Sequence, residues 1–289
     1  MKFSNSLSLL DSYFAQVPNE VGFSGAHVLL VVGFGILVFL SLVYIGMPLL
    51  ILKITRLKKH PEITSFDPNK IPAPLDASLD YFESQEKRLE NLEFEYVTDV
   101  FIRDMAAASR MLGQLWFHTE SCTGLLLIHA YAMNNGNITL TSQSVEFSSS
   151  FNNGFLVDTS NTKDFGVFPP HPKKIQHSMF WVQNIEKIYQ LHQAICQDVM
   201  LNATPVNDLD EKYNGDGIEW IRAGIEKEYN DNLKSGFLKE TADGEEYRFS
   251  VIGAFILTWK SIFPWKQFRF MKMRSKILSK LRDLNVQLN

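Results

Sequence analysis

The chain has 289 residues, 45% of them apolar and 21% charged, which is room for one membrane-crossing helix and one domain with its own core but not for several domains. A net charge of −4 and a pI near 6.0 give no overall reason to expect a nucleic-acid partner. The two cysteines, Cys122 and Cys196, lie 74 residues apart with no ligand-spaced neighbours, which argues against a disulfide scaffold or a structural zinc site and for two free thiols.

Residues 1–26 form a short extracytoplasmic segment in which Leu7, Leu9, Leu10, Tyr13, Phe14 and Val17 suit a helix at headgroup level that Pro18 ends. The following stretch, 27–52, has no charge after His27 and is apolar on every face, so it is read as a transmembrane helix, kinked near Pro48. It is too long, and lacks the basic flank and cleavage site, for a signal peptide. Lys53, Arg56, Lys58 and Lys59 follow the span whereas only Lys2 precedes it, which under the positive-inside rule places the N-terminus outside and the rest in the cytoplasm.

Residues 53–75 read as a basic, Pro-rich connector, with four prolines between positions 61 and 75. The soluble domain, 76–250, then opens with Asp76 as N-cap of a helix carrying Leu79, Phe82, Leu89 and Leu92 at helical spacing. From Glu93 to Val157 the period changes to two, in runs such as Leu125/Leu127/His129/Tyr131 and Val145/Phe147. Turns at 134–137 and 148–154 leave no space for a crossover helix, so four to six antiparallel strands in a meander are expected. After a Pro-rich loop at 165–172, Ile185, Ile188, Leu191, Ile195 and Val199 mark a second helix. A polar connector from Asn207 or Asp208 leads to a third, 218–238, with Ile218, Ile221, Ile225, Tyr229 and Leu233 inward, and the Asp-Gly of 243–244 is a tight turn between short extended pieces.

The last segment, 251–289, interleaves eight Lys/Arg between Lys260 and Arg282 with Trp259, Trp265 and three phenylalanines. It is read as an interfacial basic helix that lies on the anionic inner leaflet through Trp259, Trp265, Lys266, Arg269, Lys272 and Arg274, alongside Lys53, Arg56, Lys58 and Lys59 beside the span.

The most enzyme-like stretch is 116–122, where alternation puts Trp116, His118, Glu120 and Cys122 on one strand face within possible reach of His129. The commoner explanation is an exposed strand face over a buried cysteine, and His171, His177 and His192 are read as solvated. Helix 218–235 followed by residues 236–254 resembles the last helix and wing of a winged-helix domain, which implies a tethered regulator. Against that, the helix carries Glu219, Glu226, Glu228 and Asp231 opposite Arg222, Lys227 and Lys234, whereas a helix that reads phosphates is net basic.

The expected fold class is therefore α+β: one N-terminal transmembrane helix, a cytoplasmic antiparallel sheet packed by helices, and a basic amphipathic C-terminal helix. The favoured role is a single-pass membrane-anchored binding or scaffold protein with the lipid bilayer, anionic inner-leaflet lipids and a protein as partners, no nucleic acid, and no metal, cofactor or catalytic residue. The alternatives are a membrane-bound enzyme using His118, Glu120 and His129, and the regulator.

Overall fold

The computed structural model describes residues 25–106, 108–134, 136–163, 168–169 and 171–283. The helix expected before Pro18, most of the Pro-rich loop at 165–172, one residue of the 134–137 turn and the tail 284–289 lie outside the described residues.

The chain divides into two compact units, Met1–Met47 and Pro48–Asn289. In the first, α1 (Gly25–Ser41) runs into a π-helical turn, Leu42–Gly46, where the Met47 N–H donates to the Leu42 carbonyl five residues back. Pro48 has no N–H to offer Tyr44, and the ladder widens just ahead of it rather than breaking. With α2 (Met47–Ile54), Ala26–Ile54 make a 29-residue helix with a mean hydropathy of 2.9 in its most apolar window, long and apolar enough to cross a membrane; a signal sequence near an N-terminus has the same properties.

The second unit is mixed α and β. Residues 53–75 are stitched to its sheets: β1 (Leu57–Lys58) pairs with a strand far along the chain, β2 (Glu62–Thr64) edges the main sheet, and Leu57, Ile63 and Leu75 are buried. Helix α3 (Ala77–Asn91) buries Phe82 and Leu89, but Asp76 makes no side-chain cap. A meander follows, β3 (Glu95–Arg103), β4 (Ser109–His118), β5 (Thr123–Asn134), β6 (Asn137–Phe151) and β7 (Leu156–Ser160), antiparallel throughout as the short turns require. The serines expected in a loop at 148–151 belong to β6, because they pair with β5 and β7, and the turn shrinks to Asn152–Phe155. β8 (Lys174–Ser178) joins β7 in parallel, which the longer connection between them permits.

Helix α4 (Ile185–Met200) is capped by Asn184, whose side chain accepts the Lys187 N–H. β9 (Pro205–Val206) pairs with the end of β6. The expected polar connector is instead a short helix, α5 (Asp208–Tyr213), because the Asn207 side chain caps it by accepting the Asp210 N–H. Helix α6 (Gly217–Lys234) starts from the Asp216 cap and leads into the hairpin β10 (Leu238–Glu240) and β11 (Glu246–Phe249), which with β1 forms a three-stranded sheet. The C-terminal region is two helices, α7 (Val251–Ser261) and α8 (Trp265–Asp283), because Pro264 disfavours helix in the residue before it.

The main sheet, ordered β2 to β8, is covered on both faces. Odd-numbered residues of β5 and β6 (Leu125, Leu127, Val145, Phe147) meet Phe82 and Leu89 of α3, Ile188, Leu191 and Ile195 of α4, and Ile277 and Leu281 of α8. On the other face Val100, Ile102, Leu115 and Leu126 meet Ile218, Trp220, Ile221 and Ile225 of α6.

Candidate binding site

The α6 side of the sheet does not close fully. Where α6 passes over β5 to β8, a cavity of about 550 Å³ remains, within the range of small-molecule sites. The pleat dictates its sheet wall. Even-numbered residues of β5, β6, β7 and β8 point to this side, and they are Leu126, Glu146, Ser148, Leu156, Asp158 and Lys174. Trp220, Ile221, Ile225 and Glu228 face them from α6, with the pairs Lys212–Asp208 (2.6 Å) and Lys227–Asp231 (3.3 Å) also among the lining residues. Gly124 leaves the space that the Trp220 indole occupies, since a Cβ there would sit 2.8 Å from that ring.

A charged cluster lies in this wall. Asp158, 3% exposed, accepts from Ser148 Oγ at 2.8 Å and pairs with Lys174 Nζ at 2.8 Å, and Glu228 Oε1 lies 3.8 Å from the same ammonium. Burial alone would lower the Lys174 pKa, but Asp158 and Glu228 outweigh it and raise the value. Glu228 is raised by burial, with Lys174 opposing. Glu146 has no hydrogen-bond or ion-pair partner among the described residues, and its carboxyl is pushed up to about 7 by burial first and then by Asp158, with Lys174 opposing. The alternation in VEFSSS contained the signal that places Glu146 and Ser148 on one face, but nothing in the sequence reveals that α6 stops short of covering them.

The sequence candidates lie elsewhere: His118 and Glu120 come close together, and His129 does not join them. β4 ends at His118, so Glu120 and Cys122 sit in the following turn rather than on a strand face, and Cys122 takes a left-handed φ of 49°. His118 is buried and Cys122 only half-buried, the reverse of the expected exposure, because His118 points to the α4 side against Phe94. His129 faces the same side but opposes Leu112, whereas His118 opposes Thr123, which separates them by about 20 Å along the strands. His129 is held by Ser78 Oγ at 2.9 Å and stacked on Tyr81, and burial pushes it down to about 4.

Among the described residues one group has metal-ligand types close together: Glu93, His118 and Glu120, with ligand atoms within 4.8 Å of one another. The hydrogen bond from the Ser121 backbone favours the tautomer whose Nε2 carries the proton. His118 Nδ1 accepts the Ser121 backbone N–H at 3.1 Å, so the neutral ring carries its proton on Nε2, which faces Glu93 Oε2 at 3.8 Å. A cation at Nε2 would need that lone pair and would move the proton to Nδ1, where Ser121 Oγ at 3.0 Å can accept it but the Ser121 N–H would lose its acceptor.

Ser121 Oγ starts a hydrogen-bonded chain into the core. It donates to Thr123 Oγ1 (2.9 Å), which contacts Ser149 Oγ (2.9 Å), which reaches His192 Nε2 (3.0 Å), and His192 Nδ1 meets Thr159 Oγ1 at 3.1 Å. His192 is fully buried and His177 is 6% exposed, so neither is the solvated residue expected; His192 sits one turn beyond Ile188 on the inward stripe of α4 and finds polar partners on the sheet. Burial pushes both down to about 4, aided at His177 by Lys276 and Lys280. Burial raises the Cys196 thiol to about 12.

The residues expected at the membrane surface are mostly partnered. Arg56 donates to the Leu52 and Thr55 carbonyls and lies 3.9 Å from Glu246; Lys58 lies 3.9 Å from Asp104, and Lys59 bonds Glu240. Lys53 and Lys272 are exposed and Arg269 is half-buried, while Lys266 sits over the Phe270 ring and Arg274 over Trp181. Val251, Ile252, Trp259, Phe263, Trp265, Phe268 and Met271 are all about half exposed or more. On α6, Arg222 pairs with Glu219 and donates to the Ile63 carbonyl, and Glu226 meets His60, so its outer face is of mixed sign.

No family model, curated protein or solved structure matches this chain.

Proposed function

We propose that the chain is a single-pass, membrane-anchored binding or scaffold protein, with its N-terminus outside and the 48–289 unit in the cytoplasm, resting on anionic inner-leaflet lipid through α7 and α8. The observation that carries this reading is the exposed row of Val251, Ile252, Trp259, Phe263, Trp265, Phe268 and Met271, interspersed with Lys260, Lys266, Arg269 and Lys272. Seven large apolar side chains facing outward on adjoining helices make a patch that a soluble surface seldom carries, and the mixture of aromatics with cations suits the headgroup zone. Orientation is argued from Lys53, Arg56, Lys58 and Lys59 after an uncharged span. A binding role is favoured over catalysis because His118 and His129 are held apart in structural contacts and the cavity of about 550 Å³ lies on the opposite side of the sheet.

The test is brominated-lipid quenching of Trp259 and Trp265 in the full chain, reconstituted in nanodiscs. Strong quenching in anionic but not zwitterionic discs is expected, lost when Lys266, Arg269, Lys272 and Arg274 are changed together to Glu. Equal quenching in both lipids, or none, rejects the contact. The sequons at Asn137 and Asn202 are both exposed, so glycan acceptance reports orientation rather than access. Glycosylation of either in a eukaryotic host would overturn the cytoplasmic placement, and a purified mass lacking the first helix would make that helix a cleaved signal.

A further inference from the structure

We infer that the cavity between α6 and the even-numbered face of β5 to β8 is a binding site for a small organic cation, a protonated amine with an apolar body. The inference rests on reading the unit as a binding module and is independent of the lipid contact of α7 and α8.

Five carboxylates line the cavity, Glu146, Asp158, Asp208, Glu228 and Asp231, against three lysines, Lys174, Lys212 and Lys227. Each lysine is already committed: Lys174 to Asp158 and Glu228, Lys212 to Asp208, Lys227 to Asp231. Glu146 lines the space with no hydrogen bond or ion pair among the described residues, between Asp158 of β7, Lys174 of β8, which attracts it, and Glu228 of α6, with His171 also on the rim. An unpaired carboxylate in such a place is costly, and the site lowers that cost by keeping the group partly protonated at neutral pH. An ammonium provides the missing partner.

The rest of the wall sets the other half of the ligand. Leu126, Leu156, Phe155, Trp220, Ile221 and Ile225 present apolar and aromatic surface, and an indole face favours a cation as well as a hydrocarbon. A volume of about 550 Å³ admits a small molecule rather than a folded segment. A bare metal ion would leave the apolar wall unused, and an anion would meet the carboxylate excess.

Calorimetry on the full chain in zwitterionic nanodiscs, with empty discs subtracted, tests this using 4-phenylbutylammonium and its neutral counterpart 4-phenylbutanol. The amine is expected to bind at pH 8 at least tenfold more tightly than the alcohol. Its affinity should fall about tenfold between pH 8 and pH 6 as Glu146, titrating at about 7, takes up its proton. Glu146→Gln should weaken the amine about tenfold at pH 8 and remove most of the pH dependence, leaving only what Glu228 and His171 of the same wall contribute. No binding above empty discs, equal binding of amine and alcohol, or a flat pH profile of the unmodified protein would each overturn the inference. Because the pH profile needs no variant, a Glu146→Gln protein that folds poorly leaves the test intact, and none of these results bears on quenching of Trp259 and Trp265.

Discussion

Acidification should destabilise the 48–289 unit, and its buried histidines set the size of the effect. His129, His177 and His192 are each pushed from 6.5 to about 4, so each is neutral in the folded state at pH 5.5 while the unfolded chain would protonate it. The sign follows directly: a base with a depressed folded pKa contributes stability that is complete above its unfolded pKa and is lost as pH falls from about 6.5 to about 4. At ~1.4 kcal/mol per unit, each histidine accounts for about 3 kcal/mol. Glu146 works in the opposite sense. Its carboxyl is raised from 4.5 to about 7, so the folded state takes up a proton first and gains about 3 kcal/mol over the same acidification, with Glu228 adding in that direction. Unfolding at pH 5.5 therefore takes up nearly two protons, a slope of roughly 2.5 kcal/mol per pH unit. The three histidines less Glu146 make a net loss of about 6 kcal/mol between pH 6.5 and 4, enough to unfold a domain only at the lower end of the typical ~5–15 kcal/mol. Urea unfolding of the full chain in nanodiscs, followed by tryptophan fluorescence between pH 7 and 5, measures the slope, and His192→Gln should remove about 1.4 kcal/mol per pH unit of it. A slope near zero, or one that His192→Gln leaves unchanged, would refute the assignment of these histidines as buried and neutral.

Lys174→Met removes the cation that Asp158 and Glu228 share and should cost about 3–5 kcal/mol in the same urea assay, because Asp158 is left buried without a counter-charge. Gly253→Ala should cost about 1–3 kcal/mol despite Ala being the better helix former, since its Cβ would lie 2.3 Å from the Phe237 backbone oxygen and would push α7 off the hairpin; a stabilised variant would contradict the packing. Zinc should leave the thermal midpoint unchanged, because His118 Nδ1 accepts the Ser121 N–H; a rise of several degrees, lost in His118→Ala, would show that the ring can turn over and ligate.

The regular elements were legible because their periods are strong: the meander through Phe147, the α4 stripe from Ile185 to Ile195, and the hairpin about Gly244 all follow local patterns. What was not legible depends on partners distant in sequence. Leu57 and Ile63 become strand residues only because Tyr247 and Ile102 lie beside them, so a Pro-rich stretch that reads as a tether is pinned at both ends. Asn207 reads equally as a loop or a cap, and the side-chain bond to Asp210 decides it. His192 looks solvated in sequence because only tertiary structure brings Ser149 and Thr159 to its two nitrogens. Glu146 could be assigned a face but not an environment, since that depends on where α6 crosses the sheet.

The two sides of β6 show why one polar group is structural and its neighbour is open to a ligand. Ser149 faces the α4 side, where Thr123 and His192 satisfy its hydroxyl, and Glu146 faces the α6 side, where no described residue pairs with it. Deleting a satisfied buried group strands its partners, so Ser149→Ala should cost about 1–3 kcal/mol by leaving His192 Nε2 and Thr123 Oγ1 short of a bond. Deleting an unpaired one relieves a penalty. At pH 8, above the Glu146 pKa of about 7, Glu146→Leu should therefore raise stability by about 1–3 kcal/mol, with the gain shrinking as pH falls below 7 because the native carboxyl is then already neutral. The same change should abolish amine binding. A group that destabilises the unliganded fold and faces an open cavity fits the stability–function trade-off of a binding site. If Glu146→Leu instead destabilises the protein at pH 8, the carboxylate has a structural partner, and the cavity must be re-read as part of the core.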